Sequence, residues 1–360
     1  MLQIINSLAT GGAEKLILDS VPEYRDKGIV MEVLVLNGTD HPFLSRLQKS
    51  NVVVHALSNG SVYNPLHALR IRRYLKEYDL VHVHLFPALY WTAIAKSLSS
   101  TKTKLVFTEH NTSNRRRGWF FKLFDRWAYA RYHAIVAITQ EVGDKLQVHL
   151  GASKEKFHLI HNGIDVATFR DAAPAPRTEF DIPQPDKIVI QVSSFTEQKD
   201  QQTLIRAMSK LRTSAQLLLV GTGPLQGSCE QLVRELELDG RVHFLGTRMD
   251  VPQLLRMANV VVLSSHFEGL SLSSMEALAS GTPFVASRVP GLTQVVEGAG
   301  VLFSESNEQE LAQAIDNLLE DDQHYAAVSK AGQERATHYD LEKMIDKHYN
   351  LYRDLCKSQS

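Results

Sequence analysis

Short apolar runs alternate with amphipathic stretches along almost the whole chain. The runs are rich in valine, isoleucine and leucine, which is typical of strands that are buried on both faces of a parallel sheet. Stretches with helical spacing, such as residues 13–24 and 65–77, lie between most of them. This rhythm predicts an α/β fold built from doubly wound sheets. The predicted strands are 2–6, 31–36, 52–57, 79–85, 104–109, 134–138 and 157–161, and then 188–192, 216–220, 242–245, 260–263, 284–286 and 301–303.

The rhythm stops between residues 165 and 187, where several prolines predict an irregular crossing. A chain of 360 residues is also longer than a single core usually supports. We therefore predict two Rossmann-like domains that face each other across a cleft, the first over 1–168 and the second over 185–340. Residues 341–360 are expected to form a helix that packs back on the first domain. Open parallel sheets bind ligands at the carboxyl ends of their strands, so the cleft is the predicted ligand site.

Composition narrows the choice of function classes. The formal net charge is -1, so the basic surface that nucleic-acid binding requires is not expected. The two cysteines, Cys229 and Cys356, are far apart and belong to no cysteine–histidine cluster, which argues against disulfides and structural zinc. No signal peptide or membrane span is recognisable, so the cytoplasm is the expected compartment.

The strongest chemical signal is the segment Glu-Gly-Leu-Ser-Leu-Ser-Ser-Met-Glu from Glu268 to Glu276, directly after an apolar strand. Residues 271–280 have helical spacing, and Gly281 with Pro283 predicts the helix end. Free amides at a helix N-terminus suit phosphate oxygens, and carboxylates suit vicinal hydroxyls of a sugar or a ribose. Spacing alone is equally compatible with a strand, a loop and a helix that carry two surface glutamates.

With its flanks, this segment resembles the donor-site motif of retaining GT-B glycosyltransferases of family 4. Other motifs of that family follow in the expected order, so the resemblance covers essentially the whole chain. They are Gly11-Gly12-Ala13-Glu14, Thr108-Glu109-His110, Asn162-Gly163-Ile164-Asp165, Gln198-Lys199-Asp200, Gly221-Thr222-Gly223-Pro224, and a segment with Gly246, Arg248 and Asp250.

The resemblance implies a role for each matching residue. Glu268 would contact hydroxyls of the transferred sugar, and His110 would lie beside the reacting anomeric carbon; these two are the candidate catalytic residues. Glu276 would bind the ribose, and Lys199 would neutralise the diphosphate. The other candidate donor-binding residues would act mainly through their backbone: Gly11, Gly12, Gly221, Arg248, Met249, Gly269, Leu270 and Ser271.

One position departs from the family pattern. A glycine and an arginine usually precede the lysine loop, whereas this chain has Ser193 and Ser194 there. A phosphate-binding cation is therefore missing, which places more weight on Lys199. Members of the family retain the anomeric configuration without a protein nucleophile, and the resemblance implies neither a metal ion nor another cofactor. A UDP-sugar is the favoured donor.

A second cluster of signals concerns the acceptor. Residues from Arg115 to Trp127 mix arginines with aromatic side chains, which suits the interface of an anionic membrane or a lipid-linked acceptor. A solvated loop that leads into a core helix explains the same residues equally well. The predicted acceptor is a glycan or a lipid-linked glycan of surface polysaccharide synthesis, with the enzyme at the inner face of the membrane. His82 and His84 share one strand face, but a core role is favoured over zinc because no third ligand is near in sequence.

Three other functions fit parts of the sequence. A nucleotide-sugar isomerase, epimerase or hydrolase could share the whole architecture. A nicotinamide oxidoreductase is disfavoured, because the first strand of each predicted domain lacks a following Gly-x-Gly-x-x-Gly fingerprint. A sugar-nucleotide sensor without catalytic activity would keep the binding residues, which leaves product analysis as the discriminating observation.

Overall fold

The computed structural model describes residues 1–110, 119–151 and 154–357. Within these residues, two parallel sheets form, one in each of two compact units. The strands are β1 Leu2–Ile5, β2 Glu32–Asn37, β3 Val54–Ser58, β4 Leu80–His84, β5 Lys104–Glu109, β6 Ala134–Ala137, β7 Phe157–Leu159, β8 Lys187–Val192, β9 Ala215–Val220, β10 Val242–Gly246, β11 Val260–Leu263, β12 Phe284–Ser287 and β13 Val301–Phe303.

Helices connect most of these strands, as the predicted alternation requires. They are α1 Gly12–Asp26, α2 Pro42–Lys49, α3 Leu66–Tyr74, α4 Ala88–Ser97, α5 Trp119–Tyr129, α6 Gln140–Leu150, α7 Val166–Arg170, α8 Gln201–Met208, α9 Gln226–Glu235, α10 Val251–Met257, α11 Leu272–Ser280, α12 Pro290–Val296, α13 Glu308–Glu320, α14 Asp322–Ala336 and α15 Leu341–Lys357. Among the helices that the structure describes, none combines the length and apolar composition that crossing a bilayer requires.

The two sheets share one strand order. The first runs β3-β2-β1-β4-β5-β6-β7 and the second β10-β9-β8-β11-β12-β13, with every pair parallel. In each sheet the chain winds first to one side of the starting strand and then to the other. The points where the winding reverses lie between β1 and β4 and between β8 and β11. The predicted α/β class with two Rossmann-like sheets is confirmed.

The chain divides at different residues from those predicted from the prolines. The first unit comprises Met1–Gly163 with Leu341–Ser360, and the second comprises Ile164–Asp340. Residues 164–184 pack within the second unit because Val166, Phe169 and Phe180 are buried there. Helix α15 belongs to the first unit, where it packs against α1.

Each unit has its own apolar core. In the first, the isoleucines and valines of β1 and β4 contact the inner faces of α3 to α6. In the second, β8, β9 and β11 contact α8, α9 and α13. Strands covered on both faces need no alternation of polar residues, which explains the continuous apolar runs in the sequence. A polar residue inside such a strand is therefore unusual and bears on the functional site.

Gly291 provides a first testable feature, because α12 lies directly against the loop that follows β11. A methyl group at Gly291 would lie 2.2 Å from the Gly269 carbonyl oxygen and 2.3 Å from that of Glu268. Gly291→Ala should therefore move this loop and destabilise the protein by about 1–3 kcal/mol. Thermal unfolding measures the effect. In the matched control Gly227→Ala, on helix α9, the methyl group would meet no atom within 4 Å, and a gain of about 0.4–1 kcal/mol is expected. Equal stability of the two variants would contradict this packing.

Candidate functional site

The candidate residues follow the strands at which the winding of each sheet reverses. In the second unit, Lys199 follows β8 and Glu268 follows β11. In the first unit, Gly11 follows β1 and His84 ends β4. Open parallel sheets bind ligands at these reversal points, outside the carboxyl ends of the strands. Both units therefore place chemically suitable residues where this fold class binds ligands.

Lys199 is held by a short turn and a capped helix. The turn is a single 3-10 turn over Glu197–Lys199, and α8 begins two residues after Lys199. Between them, the carboxylate of Asp200 accepts hydrogen bonds from the amide of Thr203 at 3.2 Å and from its hydroxyl at 2.6 Å. Such capping fixes the first turn of a helix and the backbone before it.

Lys199 and Glu268, both predicted from sequence, contact each other. The Lys199 Nζ atom lies 2.5 Å from Oε1 of Glu268, and the Ser265 hydroxyl donates to the same oxygen at 2.7 Å. The two side chains are 15% and 6% exposed. A buried charge requires such a partner, because an isolated one would be strongly destabilising. A cation and a carboxylate are therefore held together at the end of β11.

A neutral hydrogen-bond network supports this loop where the family pattern has an arginine. The side-chain amides of Gln191 and Gln201 both donate to the Ser193 hydroxyl at 3.0 Å. The Ser264 hydroxyl lies 2.7 Å from the Asp200 carbonyl oxygen and 3.0 Å from Oε1 of Gln191. The two glutamines and Ser264 are almost fully buried. The network therefore fixes the backbone around Lys199 without adding a charge.

The N-terminus of α11 is formed as the motif predicts. Ser271 is the N-cap residue, but its side chain does not cap the helix. The amides of the first turn have no partner within the helix itself and can donate outward. Leu270 is buried, and the buried Glu276 lies in the second turn. Glu268 and Glu276 thus lie on the two sides of a helix N-terminus.

Arg248 and Met249 lie on the segment between β10 and α10. The Arg248 guanidinium makes a two-pronged ion pair with Asp250, at 2.8 and 2.6 Å, and lies 5.5 Å from the centre of the Phe180 ring. The Asp250 carboxyl has a lowered pKa because it accepts these bonds. Met249 is 44% exposed. The Arg248 side chain is therefore engaged within its own unit, and a contact of this segment with a nucleobase stays a prediction.

Gly221 is required by close packing after β9. Its φ angle is +131°, and a methyl group there would lie 2.2 Å from the Ser193 carbonyl oxygen. Its amide donates to the carbonyl of Gly246 at 2.8 Å. Gly221 therefore lets two loops approach at the carboxyl end of the sheet, and its contact with a ligand stays a prediction.

In the first unit, Gly11 and Gly12 form the start of α1. Gly11 is its N-cap residue and Gly12 its first helical residue. The carboxylate of Glu14 lies against Gly11, because a methyl group there would be 2.3 Å from Oε2 of Glu14. Burial raises the pKa of Glu14. An anionic side chain thus lies at the helix end that the motif assigns to a phosphate.

His110 is partly buried and lies against the buried imidazole of His84. Its Nε2 atom lies 3.0 Å from Nδ1 of His84, and Nε2 of His84 lies 2.8 Å from Oε1 of Gln3. The neighbouring His82 lies 2.7 Å from the Tyr352 hydroxyl. Burial lowers the pKa of His110 to about 4 and those of His82 and His84 well below their usual value. His110 is therefore neutral at neutral pH. Among the residues described, no group of histidine, cysteine and carboxylate side chains is arranged as a metal site.

The structure describes part of the basic-aromatic segment. Arg115, Arg116 and Arg117 lie outside the described residues. On α5, the neighbouring Leu123 and Phe124 are 63% and 41% exposed.

Two family models cover the chain almost from end to end. "Glycosyltransferase Family 4" matches residues 10–168, and "Glycosyl transferases group 1" matches residues 174–335. The chain is a GT4-type glycosyltransferase with the GT-B fold. The expected family is thereby confirmed.

Individual proteins are similar to this glycosyltransferase over most of their length. An N-acetyl-alpha-D-glucosaminyl L-malate synthase of Bacillus anthracis is 28% identical over 289 residues, 78% of this chain and 75% of its own. A 2-deoxystreptamine glucosyltransferase of Streptomyces kanamyceticus is 26% identical over 280 residues, 71% and 72% of the two chains. The crystal structure of Anabaena Alr3699/HepE with UDP and glucose superposes with a TM-score of 0.86 at 24% identity, covering 98% of this chain and 99% of that one.

Sequence reasoning missed several residues that support the candidate site. Gln3 lies inside β1 and Gln191 inside β8, and both are almost fully buried in otherwise apolar strands. These two strands are the ones next to the reversal points of the sheets. A lone amide in an apolar run could have identified both positions, because buried polar groups need hydrogen-bond partners. Ser265 gave no comparable signal.

The histidines of this glycosyltransferase also make its stability depend on pH. Burial lowers the pKa of His348, on α15, to about 3. The Met344 carbonyl favours the protonated ring, but the cost of burying the charge is larger. Neither ring nitrogen makes a hydrogen bond of normal geometry to a described residue. Between about pH 6.5 and 3 the unfolded chain therefore binds more protons at this ring than the folded chain does. The first unit should lose stability as the pH falls through this range.

His348→Phe tests this dependence, because it keeps a ring in the contacts with Tyr24 and Tyr352. The pH slope of the unfolding free energy should become shallower by up to about 1.4 kcal/mol per pH unit. All three tryptophans, Trp91, Trp119 and Trp127, belong to the first unit, so fluorescence during urea unfolding reports on that unit. An unchanged slope would contradict the assignment.

Proposed function

We propose that the enzyme is a retaining glycosyltransferase that moves a sugar from a nucleoside diphosphate sugar, with UDP as the favoured nucleotide. The observation that carries the proposal is the Lys199–Glu268 pair beside the N-terminus of α11. It joins a cation for the diphosphate, a carboxylate for sugar hydroxyls and outward amides for phosphate oxygens. The Anabaena protein with the same fold was crystallised with UDP-glucose, which supports this choice of donor.

In the proposed complex, each group has one task. Lys199 and the first-turn amides of α11 hold the diphosphate, so its charge is balanced without a metal ion or other cofactor. Glu268 accepts hydrogen bonds from the transferred sugar, Glu276 from the ribose, and the backbone at Arg248 and Met249 faces the base. Gly11 and Gly12 contribute the amides at the start of α1.

The proposed reaction uses the leaving group as its base. The acceptor oxygen attacks the anomeric carbon from the face that the diphosphate leaves. The bond between carbon and diphosphate oxygen breaks, and the acceptor proton passes to a phosphate oxygen. The protein then contributes positioning and electrostatic stabilisation rather than a nucleophile.

A thermal-shift panel tests the donor site. UDP, GDP, ADP, their common sugar conjugates and NAD are each added with EDTA or with Mg²⁺. At about 100 times its dissociation constant, a true ligand stabilises the folded state by about 2.7 kcal/mol. A shift with one nucleotide sugar in EDTA supports the proposal and names the base. A shift only with NAD, only with Mg²⁺, or with no nucleotide contradicts it.

Product analysis tests the reaction itself. Transfer joins the sugar to the acceptor with the donor's anomeric configuration and releases the nucleoside diphosphate. An isomerase or epimerase would leave the nucleotide attached to the sugar, and a hydrolase would release free sugar. NMR of the products separates these outcomes. An anomeric proton signal that indicates the inverted configuration would exclude the retaining mechanism.

We further propose a glycan or lipid-linked glycan of surface polysaccharide synthesis as the acceptor, with the enzyme at the cytoplasmic face of the membrane. The exposed Leu123 and Phe124 on α5, next to the exposed Lys122, support a contact with anionic lipid, and the sequence has three arginines at 115–117 before this helix. Leu123→Ser with Phe124→Ser should at least halve the fraction that sediments with vesicles containing anionic lipid. Leu98→Ser, at an exposed leucine elsewhere in the first unit, is the matched control. Equal sedimentation of wild type and the double variant would remove the membrane contact.

A further inference from the structure

His110 is the last member of a hydrogen-bonded chain that begins at Gln3. Oε1 of Gln3 lies 2.8 Å from Nε2 of His84, and Nδ1 of His84 lies 3.0 Å from Nε2 of His110. Gln3 is 1% and His84 3% exposed, while His110 is partly buried. This hydrogen-bonded series therefore runs from the interior of β1 through the end of β4 to the residue that follows β5.

Its direction follows from the chemistry of its first atom. A carbonyl oxygen can only accept, so Nε2 of His84 must carry the hydrogen. The amide nitrogen of Gln3 points the other way and lies 3.6 Å from the sulfur of Met31, a weak acceptor, which fits this orientation of the amide. Burial keeps His84 neutral, so its Nδ1 has a lone pair and accepts.

The last link then fixes the tautomer of His110. Because Nδ1 of His84 accepts, Nε2 of His110 must be the donor. In a neutral ring, the other nitrogen has no hydrogen. Among the described residues, none makes a hydrogen bond to Nδ1 of His110. This atom is therefore left as an acceptor with a lone pair.

We infer that Gln3 and His84 are positioning residues, which hold His110 in the Nε2–H tautomer so that its Nδ1 accepts a hydrogen bond from a substrate hydroxyl. The identity of that hydroxyl, on the donor sugar or the acceptor, rests on the proposed function; the tautomer does not. The opposite tautomer would present an N–H group, which could bind a carbonyl or phosphate oxygen but would not accept from a hydroxyl. The strand position of Gln3 thus determines the hydrogen-bonding character of a residue 107 positions away.

NMR of protein labelled with ¹⁵N-histidine tests the tautomer without substrate. The signals of His84 and His110 are assigned by comparison with His84→Phe and His110→Phe. Both rings should show a protonated Nε2 and an unprotonated Nδ1. A protonated Nδ1 on His110 would overturn the inference, whatever the enzyme's activity.

Gln3→Met removes the carbonyl acceptor at similar side-chain volume. The Nε2 preference of His110 should weaken, and kcat should fall about tenfold while the donor Kd changes less than twofold. Thr108→Val is the matched control, because it removes the 2.7 Å hydrogen bond of the neighbouring His82 but leaves the hydrogen bonds between Gln3, His84 and His110 in place. The His110 signals should not change in this variant. An unchanged tautomer in Gln3→Met would overturn the role of Gln3. A correct tautomer in a protein that binds no nucleotide sugar would instead refute the proposed function alone.

Discussion

Glu268→Gln is expected to lower kcat/KM for sugar transfer by about 100-fold. The carboxylate is nearly buried, and one of its oxygens is shared by Lys199 and Ser265. Glutamine keeps the shape but loses the charge that strengthens hydrogen bonds from sugar hydroxyls. Charge-assisted hydrogen bonds contribute about 1.5–3 kcal/mol each, and about 3 kcal/mol corresponds to 100-fold. Steady-state kinetics with the donor found in the panel measure the loss.

Two further variants test the partner of Glu268 and provide a control for the loss of a carboxylate. Lys199→Ala removes the other half of the pair and should weaken donor binding by about ten- to a hundred-fold. A change in donor Kd below twofold would reject Lys199 as the diphosphate contact. Glu297→Gln alters an exposed carboxylate in the same unit and should leave kcat/KM unchanged. If Glu268→Gln behaves like Glu297→Gln, Glu268 does not contact the sugar.

His110→Phe is expected to reduce kcat by about 100-fold while the donor Kd stays within about threefold. Phenylalanine keeps a flat ring but has no acceptor to orient a hydroxyl, and loss of orientation alone can cost about 100-fold. Single-turnover rates and donor titrations separate the two quantities. Equal losses in both would show that His110 serves binding rather than positioning.

The pH profile gives an independent check on the same residue. Because the pKa of His110 is lowered to about 4, the ring is neutral from pH 6 to 8. The kcat profiles of wild type and His110→Phe should therefore be parallel over this range. A wild-type limb near pH 6 to 7 that disappears in the variant would mean that His110 titrates during turnover.

The sheets and the two carboxylates were predictable because each leaves a local pattern. Strands covered on both faces appear as continuous apolar runs, and Glu268 and Glu276 flank a helix start with a recognisable end at Gly281. Long periodic segments are the most reliable element of such predictions, whereas boundaries depend on tertiary contacts. The prolines of 174–185 therefore suggested a crossing, although Phe180 packs into the second unit.

The supporting network was not predictable, since it depends on pairs of residues far apart in sequence. Gln3 and His84 form a hydrogen bond although they are 81 positions apart in the sequence, and Gln191 and Ser264 do so at a separation of 73 positions. Each glutamine stands out as an amide in an apolar strand, but nothing local in the sequence identifies its partner. Only the parallel pairing of β1 with β4 and of β8 with β11 brings the members of each pair together. The sequence predicts which groups can react, but the sheet order decides which groups orient them.

The return of α15 to the first unit has a consequence for biosynthesis. This unit is made of two stretches of chain, and the 177 residues of 164–340 are synthesised between them. When residue 163 leaves the ribosome, the face of α1 around Tyr24 still lacks its cover, because Tyr352 and His348 do not yet exist. The second unit is continuous and can be completed earlier. The unit that is translated first is thus finished last, and until then an apolar surface is available to chaperones.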